Sequence, residues 1–211
     1  VALPRIIHHA KSQSVGFGRV LVDVDPKAIT SREALASLPI TRKSDLIDAH
    51  AKEPPFAGLN ATPVPALARI FQSPGPIYDP QGKGDDWWRM GRAFFAAGFR
   101  SGDIVHNCLS YHLTPGGFIF DSGARACGCV VIPAGVGQSE AQVKAISDLK
   151  PTGYCGTPSF LKILIEKAEE LGADISSIKR ALVSGEALPE TLRDWFADRG
   201  IAMLQCYASA D

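Results

Sequence analysis

An α/β fold, a mostly parallel sheet with helices on both faces, is predicted by three features of the sequence. Short apolar runs recur through the second half of the chain: Ile104-Val-His-Asn-Cys108, Val130-Val-Ile-Pro133, a weaker Thr152-Gly-Tyr-Cys-Gly156, Arg180-Ala-Leu-Val-Ser184 and Ile201-Ala-Met-Leu-Gln-Cys206. Segments of helical periodicity separate them, and continuous apolar strands alternating with helices argue for a parallel sheet covered on both sides. Residues with chemical character follow the runs: Tyr111-His112, Ala134-Gly135, Thr157-Pro158, Gly185-Glu186, and Tyr207 to Asp211. Ligands of such sheets bind beyond the carboxyl ends of the strands. Strands are therefore expected near 103–108, 129–133, 152–156, 180–184 and 201–206.

Composition narrows the function classes. The chain has 211 residues, 45% of them hydrophobic and 21% charged, enough for one large or two small domains. Lys plus Arg and Asp plus Glu are 22 each, so the net charge is zero. With no basic tract, a nucleic-acid partner has no electrostatic support. No apolar run approaches the ~20 residues of a membrane span. Five cysteines, Cys108, Cys127, Cys129, Cys155 and Cys206, sit in or beside the expected strands. An odd number without framework spacing reads as reduced thiols in a cytoplasmic protein. Cys127-Gly-Cys129 lacks a second pair, so core packing is preferred to metal ligation. Val1-Ala-Leu-Pro-Arg5 has no charged-then-apolar leader pattern and no initiator Met, so the first residues are expected to be missing.

Residues 1 to about 30 show no strong period, and His8-His9 is read as a surface pair. A short helix is expected from Ser31 towards Pro39, capped by Thr30 or Ser31. Ile40 to Leu46 begins a second short element. Residues 53–84 are rich in Pro and Gly but enclose Leu67-Ala-Arg-Ile-Phe71, a strand candidate. The expected division is 1–84, a helical and loop region, and 85–211, an α/β region. Asp85-Asp86 opens a helix to about Ala97, with Trp87, Met90, Gly91 and Phe94 on a core stripe that Trp88 and Phe95 widen. Further helices are expected over 116–126, 139–149, 158–171 and 188–199. Ser139 with Gln142 has capping-box spacing, and Thr157 with Pro158 has the pattern of a cap and first turn.

Seven motifs in order resemble phenylacetate–coenzyme A ligases of the adenylate-forming superfamily. They are Leu38-Pro-Ile-Thr-Arg-Lys-Ser-Asp-Leu46, Gly102-Asp-Ile-Val-His-Asn107, Tyr111-His-Leu-Thr-Pro-Gly-Gly117, Val131-Ile-Pro-Ala-Gly-Val-Gly-Gln138, Gly156-Thr-Pro-Ser-Phe-Leu161, Val183-Ser-Gly-Glu-Ala-Leu188 and Tyr207-Ala-Ser-Ala-Asp211. The resemblance implies part of the large N-terminal domain of such a ligase. It implies activation of an aromatic or other carboxylic acid by ATP to an acyl-adenylate, then transfer to coenzyme A. ATP, Mg²⁺ and coenzyme A would be the cofactor and co-substrates, and a homodimer is allowed. Ser184, Gly185, Glu186, Ala187, Tyr207 and Ser209 would bind nucleotide, with Tyr207 stacking on adenine. Asp211 would hold Mg²⁺. Tyr111, His112, Gly116, Gly117, Pro133, Ala134 and Gly135 would line the acyl pocket. His112 is expected as a pocket wall, because an ionised carboxylate needs no general base.

The sequence departs from the family in three places. The family's phosphate loop is rich in Ser, Thr and Gly and carries a Lys; here the place reads Gln72-Ser-Pro-Gly-Pro-Ile-Tyr-Asp-Pro80. Prolines lack the N–H groups of a phosphate cradle, and Asp79 carries the wrong sign. Ala210 stands where the family has a Ser or Thr. Family members also run to roughly twice this length, so an N-terminal portion, inactive alone, is expected. The alternative is a non-catalytic nucleotide- or acyl-binding module with a degenerate phosphate loop. A third reading is an unrelated doubly wound nucleotide-binding enzyme; no Gly-x-Gly-x-x-Gly follows a strand at the chain's start, which argues against dinucleotide binding.

Overall fold

The computed structural model describes residues 2–73 and 77–208. The chain divides into two compact units, Val1–Lys83 and Gly84–Ala210.

The first unit contains α1 Ala2–Gln13, α2 Val15–Val20, α3 Arg32–Ala36, α4 Lys43–Lys52 and a hairpin of β1 Arg69–Ser73 with β2 Ile77–Gln81. Ser14 caps α2 by accepting from the Phe17 N–H, and Ser31 caps α3 through Ala34, as expected of Ser at that position. A small cluster of Ile7, Leu21 and Ile29 holds the helices together. α1 and α2 correct the reading of residues 1–30 as lacking a strong period. Leu3, Ile7 and Ala10 recur at helical spacing and pack on that cluster, although only Ile7 of α1 is buried. His8 and His9 are exposed on α1. The hairpin is antiparallel, with Ser73 opposite Ile77 and Arg69 opposite Gln81. Within the segment read as a loop after Ser73, Ile77–Gln81 are therefore strand; Pro74 to Pro76 lie outside the described residues.

The second unit runs α5 Gly91–Ala96, β3 Ile104–Asn107, α6 Gly116–Ala126, β4 Val130–Pro133, α7 Ser139–Leu149, β5 Gly153–Gly156, α8 Pro158–Leu171, β6 Arg180–Val183, α9 Glu190–Ala197 and β7 Ala202–Gln205. Its five strands form one sheet in the order β4-β3-β5-β6-β7, every neighbouring pair parallel. Each lies within the run that predicted it.

Alternation within the strands builds two cores. Tyr154, Ala181 and Val183 face a cluster with Val143, Ile146, Leu161, Leu164 and Phe196 from α7, α8 and α9. Val105, Cys155 and Leu182 face a second cluster with Phe94, Ile119, Phe120 and Ala124 from α5 and α6. Successive residues point to opposite faces, so both faces must be covered, and apolar runs without polar alternation result. The chain leaves β3 towards β4, then returns past β3 to β5. The order therefore reverses between β3 and β5, which is where such sheets open a crevice at their carboxyl ends.

Two local expectations are corrected. The helix expected from Asp85 begins only at Gly91, because Arg89 takes a left-handed φ of 58° that interrupts the turn. Asp86 still serves the helix, accepting from the Gly91 N–H at 3.1 Å. Trp87 and Phe95 are 46% and 60% exposed rather than core, and Arg100 stacks over the Phe95 ring. The capping box is absent: Ser139 lies inside α7, the N-cap is Gln138, and the Gln142 side chain turns inward. Among the described residues no helix is long and apolar enough to cross a membrane.

Candidate functional site

Two groups of residues gather beyond the carboxyl ends of the strands. The first follows β6 and β7. Ser184 is buried and its N–H donates to the Gly156 carbonyl at 3.1 Å, continuing the sheet by one residue. Gly185 then takes φ 86°, a left-handed turn that a side chain would strain. The carboxylate of Glu186 accepts from the Ser159 N–H at 2.6 Å, at the start of α8, where the helix dipole favours a negative charge. Cys206 donates from its N–H to Val183, and Tyr207 follows with its ring 93% exposed. Ser184, Gly185, Glu186, Ala187 and Tyr207 line one cavity of about 770 Å³, and Arg193 and Gln205 add to its wall. Among the described residues, no group accepts from the backbone N–H of Gly185, Glu186 or Ala187.

The second group follows β3 and β4 and is organised by Asn107, which is fully buried. Its Nδ2 donates to the Tyr111 hydroxyl at 2.6 Å and to the Gly117 carbonyl at 2.9 Å. Its Oδ1 accepts from the Leu109 N–H, and its carbonyl accepts from the Gly135 N–H at 2.9 Å. Tyr111 in turn donates to Asp121 at 3.1 Å. Burial, and then the Asp121 charge, push the Tyr111 hydroxyl far above its usual range, so it stays protonated. A Cβ on Gly117 would lie 2.6 Å from the Ser110 carbonyl, so the chain can pass there only as glycine. Thus Tyr111, Gly117 and Gly135 share one partner. Gly116 and Ala134 are half-buried beside them, while His112 and Pro133 are exposed.

Residues 86–211, more than half of the chain, match the family described as AMP-binding enzyme. The chain belongs to this family.

Among relatives, the chain is 34% identical to a phenylacetate-coenzyme A ligase of Aromatoleum evansii over 81% of this chain and 40% of that protein. It is 34% identical to the Pseudomonas putida protein of the same name over 88% of this chain and 44% of that protein. The chain thus spans less than half the length of these curated relatives. An open conformation of 2-hydroxyisobutyryl-CoA ligase, solved with 2-HIB-AMP and CoA, superposes with a TM-score of 0.88. It is 23% identical and covers 99% of this chain and 48% of that one, a likeness of fold.

For an AMP-binding enzyme, the sequence reading missed three features. Asn107 was legible only as the last letter of a strand motif. Gln142 is a polar residue on the apolar face of α7, buried together with Val143 and Ile146, and that misplacement was the available signal. A second cavity, of about 360 Å³, shares Tyr207 and is lined also by Trp88, Met90 and Ile119, with Arg89 and Arg92. Ser209 and Asp211 lie outside the described residues. Among the described residues no group of three His, Cys, Asp or Glu could hold a metal, and Glu186 is already bonded to Ser159. The described part of the site therefore does not supply a ligand set for Mg²⁺.

Proposed function

We propose that this chain forms the adenine- and acyl-binding part of an AMP-forming acid–coenzyme A ligase acting on an aromatic or other carboxylic acid. The observation that carries the reading is the single cavity shared by the Ser184–Ala187 loop and Tyr207. Adenine is flat and edged with hydrogen-bonding groups. The exposed Tyr207 ring offers it a stacking face, and the unpaired N–H groups of residues 185–187 offer it donors. The Asn107 group, with Tyr111, Gly117 and Gly135, forms the acyl wall.

In this reading the acid's carboxylate attacks the α-phosphorus of ATP. A new O–P bond forms, pyrophosphate leaves with the electron pair of the broken bond, and an acyl-adenylate remains. The sulfur of coenzyme A, its proton lost to solvent, then bonds to the acyl carbon, and AMP leaves with the electron pair of the broken C–O bond. The attacking carboxylate is already ionised at neutral pH, so no base is required of His112. The chain's residues bind and orient; proximity is the service they render.

The test is pyrophosphate release by the full-length protein across a panel of aryl and aliphatic acids. Release with at least one acid supports the ligase. Tight AMP or ATP binding with no release for any acid favours the second reading, a non-catalytic nucleotide- or acyl-binding module. That reading is supported by the pairing of residues 77–81 as a strand, where Pro80 and Asp79 suit a phosphate cradle poorly.

A further inference from the structure

We propose that Gln142 is the positioning residue of the turn after β4, and that through this turn it governs which carboxylic acid the site accepts. The inference rests on the reading of that turn as part of the acyl wall.

The Gln142 side chain is buried, and every polar atom of it is used. Its Nε2 donates to the carbonyls of Gly135 at 2.9 Å and Gly137 at 2.8 Å. A side-chain amide nitrogen has two hydrogens, and both are now spent. Its Oε1 must therefore be the acceptor that faces His106 Nε2 at 2.8 Å and the Cys108 thiol at 3.1 Å. The amide orientation follows from its partners, and so does the histidine tautomer. His106 carries its hydrogen on Nε2, and its buried Nδ1 has no partner among the described residues. A second proton there would find no acceptor, and burial also lowers the pKa of this ring.

The turn needs such a hold. Gly135, Gly137 and Gln138 all take positive φ, at 69°, 76° and 49°. Gln138 is not glycine and reaches that conformation only under restraint. One restraint is the Gly135 N–H to Asn107 carbonyl bond; another is the Gln142 N–H to Gln138 carbonyl bond at 3.0 Å. The two carbonyls clamped by Nε2 complete it. β4 is an edge strand and Val136 at the turn's tip is 67% exposed, so little packing would hold the turn if the clamp were lost. Gln142 touches the turn rather than the space a substrate would occupy, so it acts through Gly135 and Gly137.

The experiment compares the full-length wild type with Gln142→Met and Gln142→Glu. Methionine keeps the length and loses all the bonds; glutamate keeps an acceptor for His106 but loses the donors to the turn. ATP–pyrophosphate exchange is measured against a panel of acids, and amide hydrogen exchange against residues 134–138. In both variants the KM for the preferred acid should rise roughly tenfold, the scale of a displaced positioning contact. The KM for ATP should stay within about twofold, since uniform loss of binding is not expected. Turn amides should exchange faster, and ¹⁵N spectra of the wild type should show His106 protonated on Nε2. Equal shifts in the two KM values, unchanged turn exchange, or an Nδ1–H tautomer would each overturn the proposal. A wild type without exchange activity on any acid would instead remove the ligase reading and the acid selectivity with it. Hydrogen exchange would still decide whether Gln142 holds the turn.

Discussion

The side-chain amide of Gln205 donates to the main-chain carbonyl of Glu186 at 2.7 Å. This bond ties the end of β7 to the loop after β6, and it sets the spacing between that loop and Tyr207. The loop is anchored again by the Glu186 carboxylate on Ser159. Tyr207 itself is exposed and unburdened by packing. Tyr207→Ala should therefore weaken adenosine nucleotide binding by about 1–3 kcal/mol, the range for loss of a stacked base, with little change in stability. Calorimetric titration with ATP and AMP checks it; unchanged affinity in a folded variant would remove Tyr207 from the site.

Lys83 follows the degenerate phosphate loop by three residues, and it is exposed beyond the end of β2. Residues 77–81 are committed to the ladder with β1, and Asp79 stands among them. Lys83→Ala in the full-length protein should change ATP affinity by less than about threefold, roughly 0.65 kcal/mol. A tenfold loss would show that Lys83 holds phosphate after all.

Neighbouring glycines at the start of α6 should differ sharply. A methyl group on Gly117 would meet the Ser110 carbonyl at 2.6 Å and the Tyr111 ring at 2.8 Å, whereas on Gly116 its nearest neighbour is 3.9 Å away. Gly117→Ala should cost about 1–3 kcal/mol, as overpacking does. Gly116→Ala should be neutral or stabilising, since alanine favours a helix by up to about 1 kcal/mol. Urea melts of the two variants give the comparison.

Stability should fall in alkali through the buried thiols. Burial pushes Cys108 up to about 12 and Cys129 up to about 11, from 9.0 when free. Below pH 9 both thiols are protonated in folded and unfolded chains, and the full stability is present. Above it the unfolded chain releases protons that the folded chain retains, so stability falls as pH rises towards 11 and 12. Melting temperatures recorded from pH 8 to 11 should decline, and the slope should be shallower in Cys108→Ala. An identical slope would place the effect elsewhere.

Much of the second unit was legible because its inner strands β3, β5 and β6 are buried on both faces. Continuous apolar runs such as Arg180 to Val183 follow directly from that burial, and Thr157-Pro158 marks the start of α8 by cap chemistry alone. The first unit was less legible, since α1 buries only Ile7 and packs on a small cluster with no strand run beside it.

The site divides in the same way. Strand ends and glycine turns are local properties, so the sequence by itself determined where Gly185, Gly135 and Tyr207 would fall. Which residues meet was decided by the tertiary structure. Asn107 gathers Tyr111, Gly117 and Gly135 because the chain crosses from β3 to β4 and back past β3 to β5. Gln142 has the spacing of a helix cap, yet it turns inward, where its amide meets the carbonyls of Gly135 and Gly137 and the buried ring of His106. Hydrogen-bond demand of that kind arises only once the sheet is assembled, and spacing along the chain carries no record of it.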